Sequence, residues 1–434
     1  MIGRITGRSG KLRALGLRLA ERYSEYRELV RMGIAAVSAQ LGDGVLNLSA
    51  IPPYVAALGL TAHVGLVYAT FLIAEAAARS PMGSLGDRTG RRAVFIAAAL
   101  AGSVSALLWT FARRLWVILI IQVFDGAAFA AFYTATVVGM GGAVAAEDRT
   151  AAMAAFMVTL LGGMSLGPVI GGYANDLTGS KLTSFYVASG LFLLTAVIAY
   201  YLVPARLHDT REPPEPLEQP VSLFRAMWIG LRSIPDLLVL AFIIYFPTGL
   251  ILPIVKLFAM QELGMSEADY GLVFLVGAVV VAVISIASAK LARVRGRAWA
   301  IRAGLAFSAA AMFGVALIHI KWVIVPLAGA AGLGFVIALP AWLALVSDVA
   351  APEVRGSVMG ALGLGQGVGL IAGVALGGYL YNSVSIRLLG WRLIPHYSPF
   401  LVSAIAIALS FAAALAFVRE DSGRYITLSQ NRAS

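Results

Sequence analysis

Between residues 32 and 418 the apolar positions of this chain run in long, nearly unbroken stretches separated by short polar or basic connections. A bilayer core about 30 Å thick needs about 20 apolar residues per crossing helix. On that scale the runs predict twelve spans, at 32–54, 62–83, 93–112, 115–141, 150–173, 183–203, 234–258, 268–290, 298–318, 322–346, 355–381 and 397–418. They are too long for strands and lack the alternation of a half-buried sheet, so no strand is expected and the class is all-α. The long polar interruption at 204–221, with Pro204, Pro213, Pro214, Pro216 and Pro220 among acidic residues, divides the spans six and six.

Composition agrees with that pattern and removes alternatives. Of 434 residues, 60% are hydrophobic and 13% charged, with a mean hydropathy of +0.86, whereas soluble domains are nearer ~25% charged. The absence of cysteine excludes a disulfide-stapled scaffold, and without metal-ligand clusters no cofactor or metal is expected. The net charge of +11 would suggest nucleic acid in a soluble protein. Here the basic residues sit before span 1 (Arg4 to Arg31), around the 2/3 connection (Arg79, Arg88, Arg91, Arg92) and around the 8/9 connection (Lys290 to Arg302). Loop asymmetry of this kind places both termini in the cytoplasm of an inner-membrane protein and leaves no call for nucleic acid. Leu12, Leu15, Leu19, Tyr23 and Tyr26 recur at helical spacing among the arginines, so 1–31 reads as an amphipathic basic segment on the membrane surface. The expected organisation is that segment, a six-helix bundle at 32–203, a cytoplasmic linker at 204–233, a second bundle at 234–418 and a cytoplasmic tail at 419–434.

The halves carry a worn repeat at an offset of 206 residues, Gly163 to Gly369. Gly65-Leu66-Val67-Tyr68 returns as Gly271-Leu272-Val273-Phe274, Arg149 as Arg355, and the run from Gly83 to Arg91 as that from Ala289 to Arg297. The glycines 163, 167, 171 and 172 return as 369, 373, 377 and 378. Six spans is an even number, so both copies share one orientation and form parallel, pseudo-symmetric bundles.

With these motifs the chain resembles the major facilitator superfamily. The 2/3 connection meets the family signature through Gly83, Leu85, Asp87, Arg88, Gly90, Arg91 and Arg92. Its glycines suit a tight turn and close helix approach, and the resemblance implies a cytoplasmic gate in which Asp87 approaches the start of span 11, where Glu353 and Arg355 lie. Gly163, Gly167, Pro168, Gly171 and Gly172 resemble the antiporter motif of the drug:proton subgroup, with glycines on one face for backbone packing and a proline kink. Gly163-x-Ser165-x-Gly167 also fits a nucleophile elbow, but that motif needs a strand-to-helix turn with a nearby histidine. Ser165 lies in an apolar helix and the four histidines fall near span ends, so no enzyme is expected.

Ionisable groups inside spans are costly and therefore informative, and burial favours the neutral form of a carboxylate. Asp43, Glu75 and Asp125 are the acids well inside spans, all in the first half, and are the candidates for proton coupling. Gln40, Asp43 and Asn47 make one polar stripe on span 1; Gln122, Asp125, Phe129 and Tyr133 make another on span 4. The family's span 4 motif expects an arginine at Gln122, so Asp125 is the substitute proton site. Glu75 precedes Arg79 by four residues, the order of a helical ion pair. From the second half, Tyr245, Trp342 and Gln366 are candidate cavity residues, while Lys256 sits near the outer end of span 7. The expectation is a monomeric secondary transporter that exchanges protons for a small amphipathic molecule by alternating access. A proton-coupled importer of a polar metabolite and a non-transporting sensor on the same fold are the alternatives.

Overall fold

The computed structural model describes residues 27–142, 149–203, 235–349, 355–388 and 391–418. The expected basic segment up to residue 26, the linker at 204–234 and the tail after 418 lie outside them. The helices are α1 (Arg27–Ala57), α2 (Val64–Thr89), α3 (Arg91–Trp109), α4 (Leu115–Gly142), α5 (Arg149–Thr178) and α6 (Thr183–Leu202). There follow α7 (Pro235–Ile251), α8 (Val255–Gln261), α9 (Glu267–Arg295), α10 (Arg297–Leu317), α11 (Lys321–Val349), α12 (Arg355–Ser383) and α13 (Ser398–Phe417). Taken with α7 and α8 as one broken crossing, these give twelve helical segments long and apolar enough to span a membrane. The protein is an integral membrane protein whose spans are all helical.

Three departures from the expected spans have local causes. Span 7 is interrupted at 252–254, where Pro253 follows Leu252 and cannot continue the ladder. Span 1 is a single crossing, but residues Gly44–Ala50 within α1 are wound as a π-helix. A short antiparallel ribbon, Ile386–Leu388 (β1) against Trp391–Leu393 (β2), also forms between α12 and α13 where no strand was expected. It is only three residues on each side, too short to show as alternation in the sequence.

By packing, the described residues form two compact units. The first holds residues up to Ala50 and from Ala74 through α6; the second holds Ile51–Ile73 and everything from α7 onward. The sequence division at the linker therefore does not describe the packing throughout. The end of α1 and the start of α2 go with the second unit because glycines let α2 reach α12. A Cβ at Gly65 would stand 2.2 Å from the Val374 carbonyl oxygen, and one at Gly378 would stand 2.5 Å from the Gly65 nitrogen.

The repeat has a structural meaning at two levels. Gly90 and Gly296, equivalent at the 206-residue offset, both hold φ of 90° in the one-residue turns joining α2 to α3 and α9 to α10, a conformation side chains disfavour. Along α5, a Cβ at Gly163 would lie 2.6 Å from Gln40 Cβ, at Gly167 2.3 Å from the Gly44 carbonyl carbon, and at Gly171 2.6 Å from Ser49 Oγ, all on α1. On α12 the counterparts Gly369, Gly373 and Gly377 meet the backbone of Phe242, Phe246 and Leu250 on α7 at 2.5, 2.2 and 2.2 Å. Each unit thus contains an equivalent helix pair in backbone contact, the arrangement small residues allow in membranes.

Prolines inside these helices expose carbonyls, and partner helices cover them. Pro247 offers no N–H to the Ile243 carbonyl, which accepts instead from Ser410 Oγ of α13 at 3.1 Å. Pro168 likewise frees the Met164 carbonyl, whose oxygen occupies the place of a Cβ at Gly44, 2.7 Å from it. Ser38 with Thr195 and Ser103 with Ser189 add interhelical hydroxyl bonds of 2.8 Å in the first unit.

Candidate functional site

The first unit gathers the three expected acids from three helices. Asp43 is on α1, at the residue before the π-helical segment; Glu75 is on α2 and Asp125 on α4. They are 7%, 6% and 4% exposed, and Asp43 lies within electrostatic reach of the other two. Three like charges in such a place repel, and burying a charge without a counter-ion costs several kcal/mol.

Their partners differ. Asp43 accepts from Asn47 Nδ2 at 2.8 Å, and Asp125 accepts from Trp109 Nε1 at 3.0 Å. Both donors are neutral. Among the described residues neither carboxylate has a basic partner. Glu75 is paired with Arg79, four residues on, at 2.6 Å, the geometry expected of that spacing. Trp109, at the end of α3, was not among the residues singled out from the sequence; its contact with Asp125 depends on the return of the chain through α4. The indole is itself held by a stack on Phe185, 5.7 Å between centroids.

The expected polar stripes fall in the same unit. Gln40, Asn47 and Gln122 are buried. Both amide atoms of Gln40 lack a hydrogen-bond partner among the described residues, an arrangement that costs a few kcal/mol when nothing else satisfies it. Phe129 and Tyr133 are half-buried; the Tyr133 ring packs on Phe129 at 6.1 Å and edge-on to Phe156 at 5.4 Å. The Arg79 guanidinium sits over the Tyr133 ring, 4.9 Å from its centroid, so the Glu75 pair and the aromatic stripe are joined through Arg79.

The three candidates from the second half lie in the second unit. Trp342 belongs to its packed core and its Nε1 has no partner among the described residues. Tyr245 meets Phe335 edge-on at 6.0 Å, and Gln366 is half-buried on α12.

The 2/3 signature is anchored within its own unit. Arg91 donates to the Val138 carbonyl of α4 at 3.2 Å; Arg92 donates to the Tyr200 carbonyl of α6 and stacks on that residue's ring at 4.8 Å. Asp87 is paired with Arg91 at 3.7 Å, and Arg88 is exposed. Gly83 makes no close approach: it sits inside α2, and a Cβ there would meet nothing within 4 Å. Only Gly90 serves the turn. Glu353 lies outside the described residues, as does the side chain of Arg355.

One buried ion pair was not legible beforehand. Lys256 Nζ on α8 reaches Glu267 Oε2 at the start of α9 at 2.7 Å, both nearly inaccessible. The break at Pro253 and the turn before Ser266, whose side chain caps α9 through Asp269 N, bring them together.

Known proteins agree with this architecture. The family model described as Major Facilitator Superfamily matches residues 32–236 and 237–432. An uncharacterized MFS-type transporter of Methanocaldococcus jannaschii is 31% identical over 170 residues, 38% of this chain and 43% of the relative. The multidrug resistance protein MdtG of a Rahnella species is 29% identical over 231 residues, 50% of this chain and 53% of that protein. The chain thus spans about half the length of the curated relatives it matches. The crystal structure of the nucleoside transporter NupG shares the fold, with a TM-score of 0.69 over 90% of this chain and 99% of that one at 12% identity. A bacterial homologue of the human lysosomal transporter Spinster does so with a TM-score of 0.66, over 94% and 97% at 15% identity. Matches to both halves, the internal repeat and the twelve membrane-length helices leave one conclusion: the chain is an integral membrane protein that belongs to the Major Facilitator Superfamily.

Proposed function

We propose that this transporter is a proton-coupled antiporter that exports a small amphipathic molecule by alternating access, with Asp43 and Asp125 as the proton-carrying groups. The observation that carries this reading is that both are buried carboxylates held, among the described residues, by neutral donors such as Asn47 and Trp109, whereas Glu75 and Glu267 each have a cation. A carboxylate without a counter-ion sheds its burial cost by taking a proton and regains it on release. It can therefore alternate with a substrate's positive or polar group as occupant of one site.

In the cycle, a proton arriving from outside neutralises one acid, substrate departs outward, the two six-helix halves reorient, and the proton leaves to the cytoplasm as new substrate binds. The Gln40 amide, with no hydrogen-bond partner among the described residues, suits a polar group of the substrate. Phe129 and Tyr133 suit its apolar part; in the second unit the half-buried Tyr245 and Gln366 are the candidates, while Trp342 belongs to the packed core. Glu75, fixed by Arg79, positions Tyr133 through the cation over its ring. Asp87 with the arginines 88, 91 and 92 is the gate element of the first half, and Glu353 and Arg355 are the gate candidates of the second; the carrier is a monomer of the inner membrane with both termini in the cytoplasm. MdtG's name as a multidrug resistance protein supports export.

The test is a set of everted membrane vesicles with an acid interior, challenged with lipophilic cations, antibiotics and sugars while the pH gradient is followed. One compound class is expected to dissipate the gradient partly in the wild type and in Glu75→Gln, and not in Asp43→Asn or Asp125→Asn. Antiport would be refuted for the panel by no response from folded, inserted protein, and the assignment of the acids by coupling that survives both asparagine variants.

A further inference from the structure

A cavity of about 790 Å³ lies wholly within the second unit, between α9 and α11, bounded at one end by α8 and by Phe400 of α13. This is within the range of small-molecule pockets. Every side chain lining it is apolar except Tyr270. Three of the lining residues are glycines, Gly277, Gly329 and Gly332, and a Cβ added at any of them would meet nothing within 4 Å. They contrast with Gly304 and Gly334, where the backbones of α10 and α11 touch and a Cβ on either would stand 2.5 Å from the other's carbonyl oxygen. The glycines of the cavity are thus not a packing device; they keep room open. Leu272, Val276 and Val280 of α9 line the space and are also exposed, so the groove is open along one apolar side.

One end of the groove is charged. Leu263 and Met265 line it, and at Gly264 between them the Lys321 ammonium nitrogen would stand 3.3 Å from an added Cβ. Lys321 is exposed at the start of α11 and has no ion-pair partner among the described residues; the next residue, Trp322, is 90% exposed. A lysine and a tryptophan at the first turn of a spanning helix belong at the headgroup level. Lys256, the other nearby cation, is neutralised by Glu267.

We propose that this groove is a phospholipid site, with one acyl chain lying between α9 and α11 and the lipid phosphate at Lys321. Hydrocarbon fits the lining, because a ligand with several hydrogen-bonding groups would leave them unsatisfied there. A free cation at the headgroup level selects a phosphate and favours anionic lipids, and it repels a lipophilic cation.

Phosphatidylglycerol with a photoreactive diazirine midway along one acyl chain tests the site. It is photolysed with the full-length protein in phosphatidylcholine nanodiscs, and the labelled residues are mapped by mass spectrometry. Label is expected to concentrate on groove residues such as Val276 and Leu333 and to disappear from them in the double variant Gly329→Leu with Gly332→Leu. Val276→Trp, which closes the groove from its lipid-facing wall, serves if the leucines prevent folding. Lys321→Gln is expected to keep the label while cutting the preference for phosphatidylglycerol over the phosphatidylcholine analogue about fivefold. Label spread evenly over the lipid-facing helices, or unchanged in folded filled variants, would overturn the site. Displacement of the label by tetraphenylphosphonium would overturn it in favour of a lipophilic solute.

Discussion

Replacing Gly167 by alanine adds one methyl group at the closest contact between α5 and α1. The new carbon would stand 2.3 Å from the carbonyl carbon of Gly44 and 2.5 Å from its Cα and from the Val45 nitrogen, where ordinary contacts run from 3.4 to 4 Å. The shortfall is about 1 Å and all three obstacles are backbone, so no rotamer change relieves it and the helices must separate. Overpacking of this kind costs about 1–3 kcal/mol, and separation also breaks the contact of the Met164 carbonyl with Gly44. For a unit of this size, about 2 kcal/mol corresponds to a fall in Tm of about 4–8 °C. Melting of the purified protein in detergent, followed by tryptophan fluorescence, measures it. Gly162→Ala is the internal control: it is the residue before Gly163 on the same helix, and its added carbon meets nothing within 4 Å, so its Tm should equal or slightly exceed the wild type. A Gly167→Ala protein as stable as the wild type, or a Gly162→Ala protein equally destabilised, would refute the claim that these glycines mark a backbone contact. Gly373→Ala, the equivalent position on α12, should lose a similar amount.

Breaking the buried Lys256 and Glu267 pair from one side, by Lys256→Met or Glu267→Gln, should destabilise by about 3 kcal/mol or more, while the double variant recovers much of the loss; a double-variant cycle of melting temperatures that is additive would contradict this. Asp87, 69% exposed in its side chain and 3.7 Å from Arg91, should contribute less than about 0.5 kcal/mol to stability. Asp87→Asn is therefore expected to melt as the wild type does while slowing transport in vesicles. Unchanged transport would remove Asp87 from the gate.

Much was legible in the residues because a bilayer imposes a simple rule. Backbone polar groups must be satisfied within each segment, so apolar run length alone set the number of crossings, and the 206-residue repeat carried through to Gly90 and Gly296 and to two helix pairs in backbone contact. The acid content of the membrane region was equally readable, since Asp43, Glu75 and Asp125 stand out against an apolar background, and the i,i+4 spacing of Glu75 and Arg79 announced their pair. The function of Gly83 was misjudged because a glycine in a motif looks the same whether it faces a neighbour or open space.

What holds Asp43 and Asp125 was not in the sequence. Whether a buried carboxylate has a counter-ion depends on which helices surround it, and Trp109 reaches Asp125 only because α3 and α4 lie side by side. Lys256 and Glu267 meet because Pro253 stops α7 and the capped start of α9 brings the chain back. The partition of Ile51–Ile73 into the second unit and the open groove behind Gly277, Gly329 and Gly332 likewise arise from helix packing. The sequence by itself determined how many helices cross the bilayer and which residues they carry into it, because that is settled segment by segment in hydrocarbon. Only the tertiary structure decided which charges are neutralised across helices and which glycines touch, because those depend on distances of a few ångströms between separate segments of the chain.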